Sequence, residues 1–251
     1  MFLKDYYPKL NKKFNKVKFN GIAFDSNLVK KDYIFFAIKG NKFDGNKFVK
    51  DAIKKGSKIV VSDKTKERFE NNILYLKNKN PRKMLAEFSA KINYKRPKNL
   101  IAVTGTNGKS SIANFYFQIL NLNKVKAASI GTLGINYPNG NKKIINTTLD
   151  PINLNKTLEE LKKNYINNII LEASSHGLKQ NRLDGLKFDT AIFTNLSRDH
   201  LDYHKTYKDY LNSKLILFNK LLKKNSTIIF DNDTPQSNIF KKISTKKKLK
   251  S

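Results

Sequence analysis

The sequence predicts an α/β protein. A small N-terminal α/β domain is followed by a mostly parallel, Rossmann-like sheet that opens with a phosphate loop. Three observations predict this. Short apolar runs alternate with amphipathic segments of helical period, the pattern of parallel strands joined by crossover helices. The apolar run Leu100–Val103 breaks into Thr104-Gly105-Thr106-Asn107-Gly108-Lys109-Ser110-Ser111 and then into a helix start. The polar, proline-bearing stretch Lys95–Asn99 precedes that run and has the composition of a linker.

Residues 1–95 form the first candidate domain. Asp32–Ile38 is rich in β-formers and predicts a strand. Phe48–Lys55 predicts a helix stopped by Gly56, and Lys58–Ser62 a second strand. Pro81–Ile92 predicts a helix with proline in its first turn. Residues 99–251 form the second candidate domain. After the strand Leu100–Val103, Ser111–Leu122 predicts a helix. Ala127–Ile130 and Lys143–Asn146 are expected as short strands around the turn Tyr137-Pro138-Asn139-Gly140. Leu154–Lys163 is amphipathic helix, and Asn168–Leu171, Thr190–Thr194 and Ser226–Phe230 are apolar strands. Tyr210–Phe218 predicts a helix, and Lys241–Lys250 reads as a Lys-rich tail. There is no internal repeat.

Composition bounds the function. The chain has 251 residues, 39% of them hydrophobic, enough to build a packed core. Cysteine is absent, which excludes disulfides and thiolate metal sites. No apolar stretch is long enough to cross a bilayer, and Met1–Pro8 lacks the apolar run of a signal peptide, so a cytoplasmic protein is expected. The net charge of +30 invites a nucleic-acid reading. Against it, nearly all the positive charge is lysine, with arginine only at 68, 82, 96, 182 and 198. Lysine, Asn, Ile, Phe and Tyr share AT-rich codons, so base composition accounts for the bias. The lysines are also spread along the chain rather than gathered with aromatics, and no specific nucleic-acid partner is expected.

The glycine loop carries the first chemistry. Gly105 and Gly108 let backbone N–H groups turn toward an anion without a Cβ in the way. The helix that follows adds free N–H groups and the positive end of its dipole. Lys109 can reach the β- and γ-phosphates of a nucleotide, and the Ser110 hydroxyl can bind Mg²⁺. Val103 stands where the general phosphate-loop pattern has glycine.

A second cluster lies between residues 172 and 214. Glu172 follows an apolar strand, where a carboxylate can hold the cation that bridges nucleotide phosphates. All three histidines lie here, at 176, 200 and 204. The run Asn195–His204 puts Arg198, Asp199, His200, Asp202 and His204 just past a strand end, where α/β proteins carry function. Lys214 sits amid apolar neighbours; a lone lysine there ordinarily snorkels to water.

Together these residues resemble the Mur ligases, and within them the MurE type, which adds the third amino acid to UDP-N-acetylmuramoyl-L-alanyl-D-glutamate. The resemblance spans residues 20 to 233. Thr104–Ser111 is similar to the family's ATP loop, in which the glycine missing at Val103 is missing too. Glu172–Leu178 with Asn181–Leu183, and Thr194–His204, resemble the MurE type. Asp25-Ser26, Asp32–Ala37, Gly40 and Asp44-Gly45 resemble the uridine-binding N-terminal domain. The resemblance implies ATP-dependent amide formation in peptidoglycan synthesis, with UDP-N-acetylmuramoyl-dipeptide and ATP as partners and no membrane insertion, in a monomer. Gly105, Thr106, Asn107, Gly108, Lys109, Ser110 and Ser111 would hold ATP. Ser110, Glu172, His200 and Lys214 would hold two Mg²⁺ ions, Lys214 after carbamylation by CO₂. Lys109, Lys214 and His200 would be catalytic. Asn146, Thr147, Thr148, Ser174, Gln180 and Arg182 would contact the muramoyl peptide, and Phe24, Ser26, Asn41, Lys42 and Phe43 the uridine end.

The chain departs from the family at several points. Asn27, Leu149 and Ser213 stand where the family usually has Arg, Pro and Ala, and Asn41–Phe43 is not the usual loop. Family members carry a third, C-terminal domain that is expected to be absent here, and the central domain is expected to be incomplete. Three rival readings follow: another amide ligase of the same superfamily, a non-catalytic nucleotide-sugar and ATP-binding module, and a basic polyanion-binding protein.

Overall fold

The computed structural model describes residues 1–40, 43–199 and 202–251. Its contacts divide the chain into two compact units, Met1–Ile92 and Asn93–Ser251.

In the first unit, α1 (Leu3–Tyr6), β1 (Gly21–Ala23), β2 (Tyr33–Phe36), α2 (Val49–Lys54), β3 (Ser57–Ser62), β4 (Arg68–Glu70), β5 (Ile73–Lys77) and α3 (Pro81–Ile92) follow in order. The sheet runs β1-β2-β3-β5-β4, parallel except for the β4–β5 pair. Its aromatic core joins the strands to α3: Phe88 packs edge-on to Phe36 at 5.7 Å and against Phe19 at 6.1 Å. The strand expected at Asp32–Ile38 is shorter. Asp32 takes a left-handed φ of 62° to enter β2 and pairs with Lys58, and the ladder stops at Phe36. Asp25 and Asp44 each accept a backbone N–H two residues on, at 2.8 and 3.0 Å, and so start the single helical turns Ser26–Leu28 and Gly45–Phe48.

In the second unit, β6 (Asn99–Thr104), α4 (Lys109–Leu122), β7 (Ala127–Gly131), β8 (Gly134–Tyr137), β9 (Gly140–Lys142), α5 (Pro151–Lys163), β10 (Asn168–Glu172), α6 (Ser175–Lys179), β11 (Phe188–Phe193), α7 (Tyr207–Ile216), β12 (Leu222–Phe230) and α8 (Ser237–Lys247) follow. The sheet order is β12-β11-β6-β10-β7-β8-β9. Its first five strands are parallel, with β8 and β9 added as an antiparallel hairpin. The expected fold class is therefore the one observed. On one face Leu154, Leu158, Leu178, Leu217, Phe218 and Phe240 of the helical segments meet Ala102, Ala128, Leu171 and Ala191 of the strands. On the other face α4 brings Ala113, Ile112 and Tyr116 onto Val103, Ile170, Ile101 and Ile192. Ile229 on β12, and Phe115, Ile119 and Leu122 on α4, stay exposed.

Three elements differ from expectation. Lys143–Asn146 is not a strand; the turn lies at Pro138-Asn139 as expected, but its arms are β8 and β9, because left-handed Asn139 closes a tight hairpin at Tyr137–Gly140. The Lys-rich tail is helix α8: Phe240, fully buried, packs on Phe193, Phe218 and Phe230, and the amphipathic period outweighs the lysine content. The helix expected at Tyr210–Phe218 starts earlier, at Tyr207, because Thr206 caps it through a hydrogen bond from Asp209 N, and it gives way to a π turn at Leu217–Leu221. Among the described residues no helix is long and apolar enough to cross a membrane.

Candidate functional site

The site forms at the carboxyl ends of β6, β10 and β11, where parallel sheets bind ligands. β6 ends at Thr104, and the chain turns through Gly105 (φ +154°) and Gly108 (φ +85°) into α4 at Lys109. Both angles are ones that glycine adopts freely and other residues rarely do. A Cβ on Gly105 would also land on Thr194 Oγ1. The segment after β11 clamps the loop. Thr106 N donates to Asn195 O (3.0 Å), Asn107 N to Asn195 Oδ1 (3.0 Å) and Thr194 Oγ1 to Asn107 O (2.6 Å).

Glu172 is the last residue of β10 rather than the first after it, and it is buried. Its Oε1 accepts from Thr132 N at 2.7 Å; its Oε2 accepts from Ser110 Oγ at 3.0 Å and Thr132 Oγ1 at 3.3 Å. Gly131 leaves the room for this, since a Cβ there would land on Glu172 Oε1. The donor set is all oxygen: a serine hydroxyl and a carboxylate at the mouth of a phosphate loop. That chemistry suits Mg²⁺, which takes one or two protein oxygens and leaves its other positions to phosphates and water.

Two lysines converge on one carbonyl. Lys109 Nζ donates to Gly105 O (3.0 Å) and Thr106 O (2.7 Å), and Lys214 Nζ donates to the same Gly105 O at 2.6 Å. Lys214 does not snorkel. It is 1% exposed, with its ammonium 4.3 Å from the centre of the Tyr210 ring. Burial, reinforced by the charge of Lys109 and opposed by Asp199, brings its pKa down to about 7. Burial also lowers the pKa of Lys109, against the pull of Glu172 and Asp199.

Thr148, Ser174, Gln180 and Arg182 form a single polar patch. Thr148 Oγ1 donates to Glu172 O (2.8 Å) and lies 2.9 Å from Ser174 Oγ, while Ser174 N donates back to Thr148 Oγ1 (3.0 Å). Arg182 Nη1 donates to Thr148 O (2.6 Å), and its Nε and Nη2 grip Gln180 Oε1 at 3.1 and 2.8 Å. Thr147 joins through its hydroxyl, 3.0 Å from Thr132 Oγ1, and Asn146 is exposed beside it. Ser111 is exposed on the first turn of α4. In the first unit Phe24 follows β1 and is partly exposed, Ser26 is buried, and Phe43 is exposed with its ring 6.5 Å from Phe48. Asn41, Lys42 and His200 lie outside the described residues.

Sequence reasoning missed Thr132 and Tyr210, and it singled out the run that Thr194 and Asn195 open without giving those two a role. Tyr210 OH lies 3.2 Å from Thr106 Oγ1, so α7 touches the loop directly. Thr132 and Tyr210 are ordinary polar and aromatic residues, distant in sequence from the groups they brace, and no local pattern marks them.

A mostly parallel sheet, with a glycine loop at a strand–helix junction and lysine, serine and carboxylate gathered there, defines a phosphate-loop α/β domain. The chain belongs to the Mur ligase family: residues 103–251 match the Mur ligase middle domain, and residues 18–92 match the Mur ligase family catalytic domain. It is 43% identical over 229 residues to the UDP-N-acetylmuramoyl-L-alanyl-D-glutamate–2,6-diaminopimelate ligase of Rickettsia montanensis, covering 89% of this chain and 47% of that protein. It is 41% identical over 219 residues to the ligase of the same name from Brucella melitensis, covering 87% and 45%. A solved structure of a ligase of that name superposes with a TM-score of 0.82 at 28% identity, over 98% of this chain and 50% of the other. The chain thus spans about half the length of the relatives it matches.

Proposed function

We propose that this chain is the nucleotide- and acceptor-binding half of an ATP-dependent amide ligase of peptidoglycan precursor synthesis. The ligase joins a third amino acid to UDP-N-acetylmuramoyl-L-alanyl-D-glutamate; the relatives named for 2,6-diaminopimelate support that amino acid as the one added. The observation that carries this is Lys214: a buried amine held near neutrality, one carbonyl away from the phosphate-loop lysine.

The reaction class is carboxylate activation. The D-glutamyl carboxylate attacks the γ-phosphorus of ATP, the bond to the bridging oxygen breaks, and ADP leaves an acyl phosphate. The incoming amine then attacks the acyl carbon and phosphate departs. Two anions meet in the first step, so the site must be cationic. Gly105, Thr106, Asn107, Gly108, Ser110 and Ser111 wrap the nucleotide phosphates with backbone and hydroxyl donors, and Lys109 donates to the oxygens of the transferring group. Ser110, Glu172 and His200 would hold Mg²⁺, which when bound neutralises charge on the phosphate oxygens. A neutral Lys214 amine can add to CO₂ and lose a proton, which turns a cation into a carboxylate-like oxygen donor suited to a second Mg²⁺. Thr148, Ser174, Gln180 and Arg182, with Asn146 and Thr147, would orient the dipeptide; Phe24, Ser26, Asn41, Lys42 and Phe43 would hold the uridine end. The protein is proposed to act as a cytoplasmic monomer.

Isothermal titration tests this. The chain should bind MgADP and UDP-N-acetylmuramoyl-L-alanyl-D-glutamate separately. Lys109→Ala should weaken MgADP by at least about tenfold, the loss expected for one charge-assisted contact. Equal MgADP affinity in the variant would refute the loop assignment. Half-length coverage of its relatives favours a second reading for the chain taken alone, binding without turnover. Under that reading both ligands bind, yet no phosphate is released from ATP when dipeptide and diaminopimelate are present.

A further inference from the structure

Next to the proposed dipeptide patch stands a chain of polar groups, buried at Ser175 and His204, that the proposed chemistry does not use. Ser174 caps α6 and faces Thr148, accepting from Gly177 N at 3.1 Å. The next residue, Ser175, is buried, and its Oγ lies 3.0 Å from His204 Nε2. His204 is completely buried; its Nδ1 lies 3.4 Å from Asp209 Oδ2 on α7, close enough for charge contact but without hydrogen-bond geometry. Asp209 also pairs with Lys179 at the end of α6, at 2.5 Å. The His204 ring packs among His176 (5.6 Å), Tyr203 (4.9 Å) and Tyr210 (5.0 Å). Tyr203 OH accepts from Gln180 Nε2 in the dipeptide patch, and Tyr210 OH meets Thr106 in the phosphate loop. Lys214 lies one helical turn past Tyr210.

Burial lowers the His204 pKa, so the ring is neutral at pH 7 and has one N–H. The Asp209 carboxylate favours that proton on Nδ1, which leaves Nε2 to accept from the Ser175 hydroxyl. Serine, histidine and aspartate in this order also describe an acyl-transfer triad. A nucleophile must be reached by its substrate, however, and Ser175 is 2% exposed.

We propose that His204 is a positioning residue for the acceptor substrate. It accepts from Ser175 on α6 and holds Nδ1 in charge contact, short of a hydrogen bond, with Asp209 on α7, and so ties α6 to α7. That tie fixes the dipeptide patch at Ser174–Arg182 relative to Lys214 and the phosphate loop. The proposal rests on the acceptor reading above.

The test uses the whole chain. His204→Phe keeps the ring and removes both polar contacts, Ser175→Ala removes one partner, and His204→Gln restores an acceptor near the Nε2 position. Titration is with UDP-N-acetylmuramoyl-L-alanyl-D-glutamate and, separately, with MgADP. His204→Phe and Ser175→Ala should each weaken the dipeptide ligand by about tenfold, the equivalent of one lost buried hydrogen bond, with MgADP within about twofold. The double variant should be no worse than the single ones, because both delete the same contact. His204→Gln should recover most of the loss, and ¹⁵N spectra of the wild-type imidazole should show the proton on Nδ1. A proton on Nε2, unchanged dipeptide affinity, or equal loss for both probes in every variant overturns the proposal alone. A wild type that binds neither probe overturns the acceptor reading and this role with it.

Discussion

Lys214 is the residue whose energetics say most. An ordinary lysine titrates near 10.5, and this one is brought to about 7. Below about pH 7 it is protonated in both folded and unfolded chains, and the full cost of burying an ammonium is present. Between about 7 and 10.5 the unfolded chain holds a proton that the folded one lacks, so this residue makes stability rise with pH across that window. Lys214→Met should flatten that rise. It should also raise stability at pH 7, because no ammonium is then buried. Thermal melts of both proteins from pH 6 to 10 check this; a variant less stable at pH 7 would mean the Gly105 hydrogen bond outweighs desolvation. The same amine, neutral in a good fraction at pH 8, should give a ¹³C carbamate signal in labelled bicarbonate that Lys214→Met abolishes. Gly105→Ala should remove MgADP binding and lower stability, since the added Cβ meets both an unfavourable φ and Thr194.

At the scale of elements, α8 separates pattern from composition. Its lysines give it the look of a tail, yet Phe240 sits at full burial among three other phenylalanines, and Lys250 bridges Thr227 on β12. Phe240→Ala should therefore cost about 3–5 kcal/mol, the range for a buried aromatic. Urea unfolding measures it, and a loss under about 1 kcal/mol would show a loosely held segment rather than a docked helix. The strand-to-helix junction at β6–α4 and the helix Pro81–Ile92 were legible in the sequence because loop glycines, a proline start and helical period all act locally. The hairpin arms β8 and β9, and the short strands β1, β4 and β5, were misjudged or missed because three to five residues carry too little period to mark a strand.

For the whole molecule, the charge of +30 and the nucleotide site are separate properties. Heparin retention should fall steeply with salt, following release of counterions, and be unchanged by Lys109→Ala. MgADP affinity, which depends on Lys109 and oriented backbone donors, should lose much less over the same salt range. A heparin interaction that falls away with Lys109→Ala would merge the two and weaken the loop assignment.

The sequence by itself determined the α/β class, the phosphate loop and the acidic strand end, because each is written in residues adjacent along the chain. It also pointed to the cluster that ends at Lys214, by resemblance rather than by physics, since a lysine among apolar residues ordinarily reaches water. Only the tertiary structure decided that Lys214 is buried against Gly105. It alone brought Thr132 to Glu172, Tyr210 to Thr106 and His204 to Ser175. Those contacts join segments 29 to 109 residues apart, and their strength comes from burial, which no local pattern encodes.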